Sequence, residues 1–248
     1  MKRILGHIYF FYALSVFAIT LCVVFIITAL LYWVKEPLRS HLLHPIFKVW
    51  MRIYMPLVFC RVYVKGKQHF NKNENFVIVC NHNSLADPPI STPFIPFANK
   101  TLAKIELSKI PIFGLVYKSG SILIDRKNEK SRKDSVMQMQ RVLDMGLNLC
   151  LYPEGTRNKT GKGIQPFFNG AFLTAIKAKK KIIPALIFNS KDLFPGKPSF
   201  WAWPQALYID FLEPIATADI SIDAVTELKD ATYQIMSDYY ATYEAARK

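Results

Sequence analysis

From Ile4 to Val34 the chain contains no Asp, Glu, Lys or Arg, and its one early interruption is Gly6 with His7 beside it. Wound as a helix at about 1.5 Å per residue, such a run exceeds the roughly 30 Å hydrocarbon core of a bilayer. Lys2 and Arg3 ahead of it suit the basic start of a secretory signal, but a signal's apolar region ends after about 7–15 residues at a small-residue cleavage site. Here Phe25, Leu30, Leu31, Tyr32 and Trp33 carry the run onward with no such site, so a retained membrane segment is expected. Lys35, Arg39, Lys48 and Arg52 follow it and outnumber Lys2 and Arg3. The positive-inside rule then puts the bulk of the chain on the cytoplasmic face, that of the inner membrane in a bacterium. Leu43, Phe47, Trp50, Ile53, Tyr54 and Leu57 recur at three- and four-residue spacing. They predict a helix that lies in the membrane interface or packs on the domain, and the pattern suits both.

The rest of the chain alternates short β-branched runs with helical patterns. Strands are predicted at 58–64, 76–80, 121–124, 147–152, 182–188 and 206–212, and helices at 89–97, 131–145, 167–179 and 223–247. The helix from Ser131 has a capping residue, a stripe of Val136, Met139 and Leu143, and Gly146 at its end. This alternation predicts an α/β fold with a largely parallel sheet flanked by helices. Residues 1–57 would be the membrane segment and interfacial helix, and residues 58–248 one domain. The four cysteines, Cys22, Cys60, Cys80 and Cys150, sit in apolar runs without a Cys-x-x-Cys pair, which predicts reduced packing residues and no metal site. A net charge of +14 favours an anionic partner. The apolar amino end and the lack of a nucleic-acid motif argue against nucleic acid and for the phospholipid bilayer.

Chemistry concentrates where strands end. Asn81-His82-Asn83-Ser84-Leu85-Ala86-Asp87 follows the run 76–80 and is closed by Pro88-Pro89. His82 thus stands at a strand's carboxyl end, where open α/β sheets bind ligands, and Asp87 reads as the N-cap of the next helix. Leu151-Tyr152-Pro153-Glu154-Gly155-Thr156-Arg157 repeats the arrangement: a glycine for a tight turn, a hydroxyl, and a guanidinium fork suited to phosphate. No acidic residue occurs from Gly155 to Lys191, while Arg157, Lys159, Lys162 and Lys179 to Lys181 are basic. Arg157 reads as a ligand contact and the lysine cluster as a solvated face near lipid headgroups. Gly120 to Arg126 and the stretch around Lys104 are weaker signals that would add an arginine and a lysine to the same strand ends.

In combination these blocks resemble the glycerolipid acyltransferase family, the 1-acylglycerol-3-phosphate (lysophosphatidic acid) acyltransferases in particular. His82/Asp87, Gly120 to Arg126, Glu154 to Arg157 and Ile182-Ile183-Pro184-Ala185 occur in the family's order, with Ala185 where valine is commoner. The likeness spans roughly residues 60–215. It implies transfer of a fatty acyl group from a thioester, acyl-CoA or acyl-acyl carrier protein, to the sn-2 hydroxyl of a lysophospholipid acceptor, with no permanently bound cofactor. His82 would take the hydroxyl proton and Asp87 would orient it. Arg157, with Lys104 and Arg126, would hold the acceptor's phosphate. Glu154, Gly155, Thr156, Gly120 and Asn81 complete the expected substrate-binding set, Glu154 by orienting the loop or its basic residues. Amides near Asn81 or Gly155 would face the oxyanion. The absence of a Gly-x-Ser-x-Gly elbow suits a reaction whose nucleophile is the substrate's own alcohol. Rival readings are another lyso-acceptor, or a lipid-binding protein without catalysis.

Overall fold

The computed structural model describes residues 1–160 and 163–247; Lys162 lies outside them. The apolar run forms α1 (Lys2–Leu30), followed by α2 (Leu38–Leu57). Then come β1 (Arg61–Lys65), β2 (Val77–Cys80), α3 (Asp87–Ser91), β3 (Asn99–Lys104), α4 (Phe113–Ser119), β4 (Ser121–Ile124) and α5 (Glu129–Asp144). The chain continues with β5 (Asn148–Leu151), α6 (Gly170–Ala178), β6 (Ile182–Phe188), α7 (Ser190–Leu193), β7 (Ala206–Phe211) and α8 (Val225–Ala246).

Among the described residues seven strands make one sheet in the order β1-β7-β6-β2-β5-β3-β4. β6, β2, β5, β3 and β4 are mutually parallel. β7 runs antiparallel to β6, to which residues 189–205 connect it through the four-residue α7, too short for a crossover, and β1 pairs parallel with β7. The fold is therefore α/β with a largely parallel sheet, as the alternation implies.

Period-two alternation divides the core into two layers. Val77 and Val79 of β2, with Ile182, Leu186 and Phe188 of β6, pack under α5, α6 and α8 through Leu143, Phe172, Ala175 and Met236. Ile78 and Cys80, with Ile183, Ala185 and Ile187, face Met51 and Met55 of α2 and the segment Ile90 to Ile95. All four cysteines are free, and the buried Cys80 and Cys150 Sγ atoms lie 3.7 Å apart.

Several expected elements differ. Helix 89–97 ends at Ser91, as Pro93 and Pro96 supply no backbone N–H. α5 is capped by Asn128, whose side chain accepts from the Ser131 N–H, and Val136 points to solvent while Ser135 and Val142 turn inward. β3 and α4 were not anticipated. α2 packs on the domain through Met51 and Met55, and on α1 through Trp50 and Tyr54, which meet Phe17 at ring-centroid distances of 5.3 and 5.5 Å while the Trp50 indole donates to Thr20. Its outer row, including Ile53 and Leu57, stays exposed. α1 is long and apolar enough to cross a membrane, and only 17% of its most apolar window is buried. At Gly6 its backbone approaches the Trp201 indole so closely that a Cβ there would overlap the ring.

Candidate active site

The chain leaves the sheet after Cys80, and Asn81 fixes how. Its side-chain amide donates to the Ile187 carbonyl at 3.0 Å and its oxygen accepts from the Ile187 N–H at 2.7 Å, which extends the attachment to β6 past the last ladder pair. Asn81 is thus buried and fully committed. Where the sequence expectation put it in the substrate-binding set, the structure has its side chain bracing the loop.

Asp87 is fully buried, and one oxygen does all its work. Oδ2 accepts from His82 Nδ1 at 2.8 Å and from the Asn83 and Ser84 N–H groups at 2.6 and 2.7 Å. Oδ1 has no partner among the described residues. Asp87 is the first residue of α3 with Ala86 as its N-cap, so the expected capping role gives way to one of gathering the loop. Because a carboxylate only accepts, Nδ1 carries the proton and Nε2 is left to receive another. The imidazole lies against the Tyr152 ring at 4.5 Å between centroids, tilted by 32°, and its side chain keeps 17% exposure. The Tyr152 hydroxyl meets Ser91 at 2.8 Å, and burial pushes it well above its ordinary range, so it stays neutral.

The second loop is tied to the first by pairing register. Val79 lies opposite Leu151 in the β2–β5 ladder, and three residues further along each strand stand His82 and Glu154. Glu154 Oε1 accepts the His82 N–H at 2.7 Å and Oε2 the Gln165 N–H at 3.2 Å. In return the His82 carbonyl accepts from the Asn158 N–H at 2.6 Å. Arg157, which precedes Asn158, is thereby held beside the histidine loop. Burial pushes the Glu154 carboxyl up to about 7, against the pull of its two N–H donors. Gly155 adopts φ +68°, where a side chain is strained, and a Cβ would sit 2.8 Å from the Phe168 ring.

Arg126, at the end of β4, reaches across and donates to the Gly155 carbonyl. Arg157 is half-buried and Thr156 exposed, and neither has a hydrogen-bond or ion-pair partner among the described residues. Lys104 closes β3 at the same carboxyl edge and is exposed. Gly120 precedes β4, at the opposite end of the strands, against Phe47. It does not join the site. Lys179 to Lys181 likewise precede β6 at the far end, where Lys181 pairs with Glu74. Tyr152, Ser91 and Gln165 are the site residues that sequence reasoning missed; the aromatic ahead of Pro153 was the only available signal.

The acyltransferase family profile matches residues 61–188. A putative 1-acyl-sn-glycerol-3-phosphate acyltransferase of Caenorhabditis elegans is 32% identical over 69% of this chain and 62% of its own length. The 1-acyl-sn-glycerol-3-phosphate acyltransferase of Helicobacter pylori is 37% identical over 49% of this chain and 52% of its own. The chain therefore spans less than two thirds of these relatives. The crystal structure of the 1-acyl-sn-glycerophosphate (LPA) acyltransferase PlsC from Thermotoga maritima superposes with a TM-score of 0.76 at 21% identity. It covers 98% of this chain and 97% of that one, a likeness of fold. With the profile spanning over half the sequence, and the histidine–aspartate and Glu-Gly-Thr-Arg loops both inside it, the chain belongs to the acyltransferase family.

Proposed function

We propose that the protein moves a fatty acyl group from a thioester to the free sn-2 hydroxyl of 1-acylglycerol 3-phosphate, giving phosphatidate. The observation that carries this reading is the 2.8 Å contact between His82 Nδ1 and Asp87 beside a loop bearing an uncommitted arginine. An alcohol attacks poorly at neutral pH unless a base removes its proton in the transition state. His82 Nε2 takes that proton as the acceptor oxygen bonds to the thioester carbonyl carbon, and buried Asp87 stabilises the resulting imidazolium. The tetrahedral oxyanion then collapses, the carbon–sulfur bond breaks, and the imidazolium returns the proton to the departing thiolate. The nearby thiols, Cys80 and Cys150, are fully buried, which supports attack by the substrate itself.

The N–H groups of His82, Asn83, Ser84 and Gly155 are already engaged. The amides of Thr156 and Arg157, unengaged among the described residues and next to the glycine turn, serve as oxyanion donors. Arg157 grips the acceptor's phosphate, with Arg126 bracing the turn and Lys104 adding charge. Residues 1–57 hold the domain 58–248 at the bilayer, on its cytoplasmic face. The support is the exposed apolar surface of α1, including Ile4, Ile8, Phe11, Ile19, Val23 and Ile26, followed by Lys35, Arg39, Lys48 and Arg52. Acyl-CoA or acyl-acyl carrier protein serves as co-substrate. Purified protein assayed with both donors and a panel of lyso-acceptors tests the reading. Turnover restricted to acceptors without a phosphomonoester head would overturn the assigned substrate.

A further inference from the structure

Direct transfer with no acyl-enzyme requires donor and acceptor to be present together, so two subsites must flank the imidazole. The cationic one lies to one side, since Arg157, Lys104 and Arg126 follow β5, β3 and β4 in that order from β2. Toward β6, where the segments after β2, β5 and β6 meet α8, is a cavity of about 530 Å³ that the acceptor reading leaves unused. It is walled by Asn83, next to His82, by Lys191 and Asp192 after β6, and by Ser237, Tyr240 and Ala241 of α8 with Arg247 at its end. That volume falls in the range of about 300–1,000 Å³ usual for small-ligand sites.

The lining is chemically unlike the cationic flank. The Asn83 side-chain amide and the hydroxyls of Tyr240 and Ser237 have no hydrogen-bond partner among the described residues, and the Ser237 oxygen is buried as well. A buried hydroxyl without a partner carries a desolvation cost that a bound polar group relieves. Arg247 is occupied by Asp192 at 3.0 Å and Asn189 at 2.8 Å. Lys191, in contrast, is exposed and has no ion-pair partner among the described residues. The lining therefore offers uncharged hydrogen-bonding groups beside the Glu244 carboxylate, and its rim offers one cation, Lys191, without an ion-pair partner among the described residues.

We propose that this cavity receives the phosphopantetheine arm of the acyl donor, an inference that rests on the acyl-transfer reading above. The arm is a chain of two amides and a hydroxyl, with sulfur at one end and phosphate at the other. Its sulfur end lies at Asn83, beside the base that must reprotonate the thiolate. Its amides meet Ser237 and Tyr240, and its phosphate meets Lys191. Coenzyme A and acyl carrier protein both carry this arm, so the site serves either source. Residues of α8 lie outside the stretch that the family profile covers.

Two variants test it in the full-length protein in detergent: Ala241→Phe, which fills the cavity from α8, and Lys191→Glu, which reverses the rim charge. Each is assayed with an acyl-CoA, an acyl-acyl carrier protein and a truncated acyl N-acetylcysteamine thioester that lacks the phosphate. The expected result is a donor KM raised about tenfold or more for the phosphate-bearing donors. The acceptor KM should hold in both variants, and the rate with the truncated thioester should hold in Lys191→Glu. A rise confined to acyl-CoA, or to the carrier protein, identifies the source that uses the site. Calorimetric binding of an S-alkyl phosphopantetheine thioether, weakened in both variants with melting temperature retained, supports the assignment without turnover. Unchanged thioether binding, or a raised acceptor KM with donor KM untouched, overturns it. Wild-type protein that binds the thioether but acylates no lyso-acceptor would overturn the proposed reaction and leave the cavity assignment standing.

Discussion

Replacing Asp87 by Asn separates the two things the carboxylate does for His82. The amide oxygen can occupy the position of Oδ2 and keep the donors His82 Nδ1, Asn83 N–H and Ser84 N–H, so the ring should stay in place with its tautomer unchanged. The new NH2 group falls where Oδ1 now sits, a buried position with no partner, at a cost of about 1–3 kcal/mol in stability. What is lost for catalysis is the negative charge facing the imidazolium. Two unit charges about 4 Å apart at an effective dielectric of about 20 interact by about 4 kcal/mol, which bounds the effect. At about 1.4 kcal/mol per decade this is a fall in kcat of up to about a thousandfold, and we expect about 100- to 1,000-fold. A serine-protease triad loses about ten-thousandfold on the same change because there the tautomer is lost too; here two backbone amides keep an oxygen toward Nδ1. Both KM values should stay within about threefold, as neither substrate touches Asp87. Thiol release from an acyl thioester, followed spectroscopically with a lyso-acceptor present, reads kcat directly. A folded variant that retains a fifth or more of wild-type kcat would show that Asp87 only shapes the loop.

Glu154→Gln removes a carboxyl held up to about 7 by burial. Since the unfolded chain deprotonates this group near 4.5, the folded wild type keeps a proton that the unfolded state has lost as pH rises from about 4.5 to about 7. Wild-type stability should therefore fall by about 3 kcal/mol relative to the Gln variant across that window and level off above it. Urea denaturation at several pH values checks this, and parallel curves refute it. The same variant should lose kcat with little change in acceptor KM, because the carboxylate holds the His82 and Gln165 N–H groups. Arg157→Lys keeps the charge but loses the planar fork, so acceptor KM should rise about tenfold with kcat nearly preserved; an unchanged KM removes phosphate from that position. Gly155→Ala places a side chain at φ +68° against Phe168 and should lower stability by about 1–2 kcal/mol in a thermal melt. Combining it with Phe168→Ala should relieve only the steric part.

What could be read from the sequence divides by the range of the interactions involved. β4 and β6 run between the expected residues because each is a compact apolar stretch with polar or glycine boundaries. β3 escaped notice because Asn99-Lys100-Thr101 looks like a loop. Its polar groups are buried only because Lys100 reaches Glu36 and the Ser119 carbonyl, and Thr101 donates to the Cys150 carbonyl. The rotation of α5, which takes Ser135 inward and leaves Val136 out, follows from packing against α6 and β5 and has no local signature. His82 and Asp87 are five residues apart, so their partnership was visible without a fold. Gly120 and Asn81 enter the expected binding set only through the family resemblance. Strand direction removed the first, and the Ile187 backbone claimed the second.

The latch between Glu154 and His82 spans 72 residues, and nothing along the chain announces it. It depends on β2 and β5 being neighbours in the register that sets Val79 against Leu151. Slipping β2 by one residue would turn Val77 and Val79 away from the layer they share with Leu149 and Leu151, so the packing of that layer specifies the register. Three residues past the ladder, the same register sets Glu154 against the His82 N–H and Asn158 against the His82 carbonyl. The distance from base to arginine is thus fixed by how the valines and leucines pack in the sheet below. Two strands, each closing on its own short motif, therefore combine into one site through their apolar residues, which take no part in the chemistry.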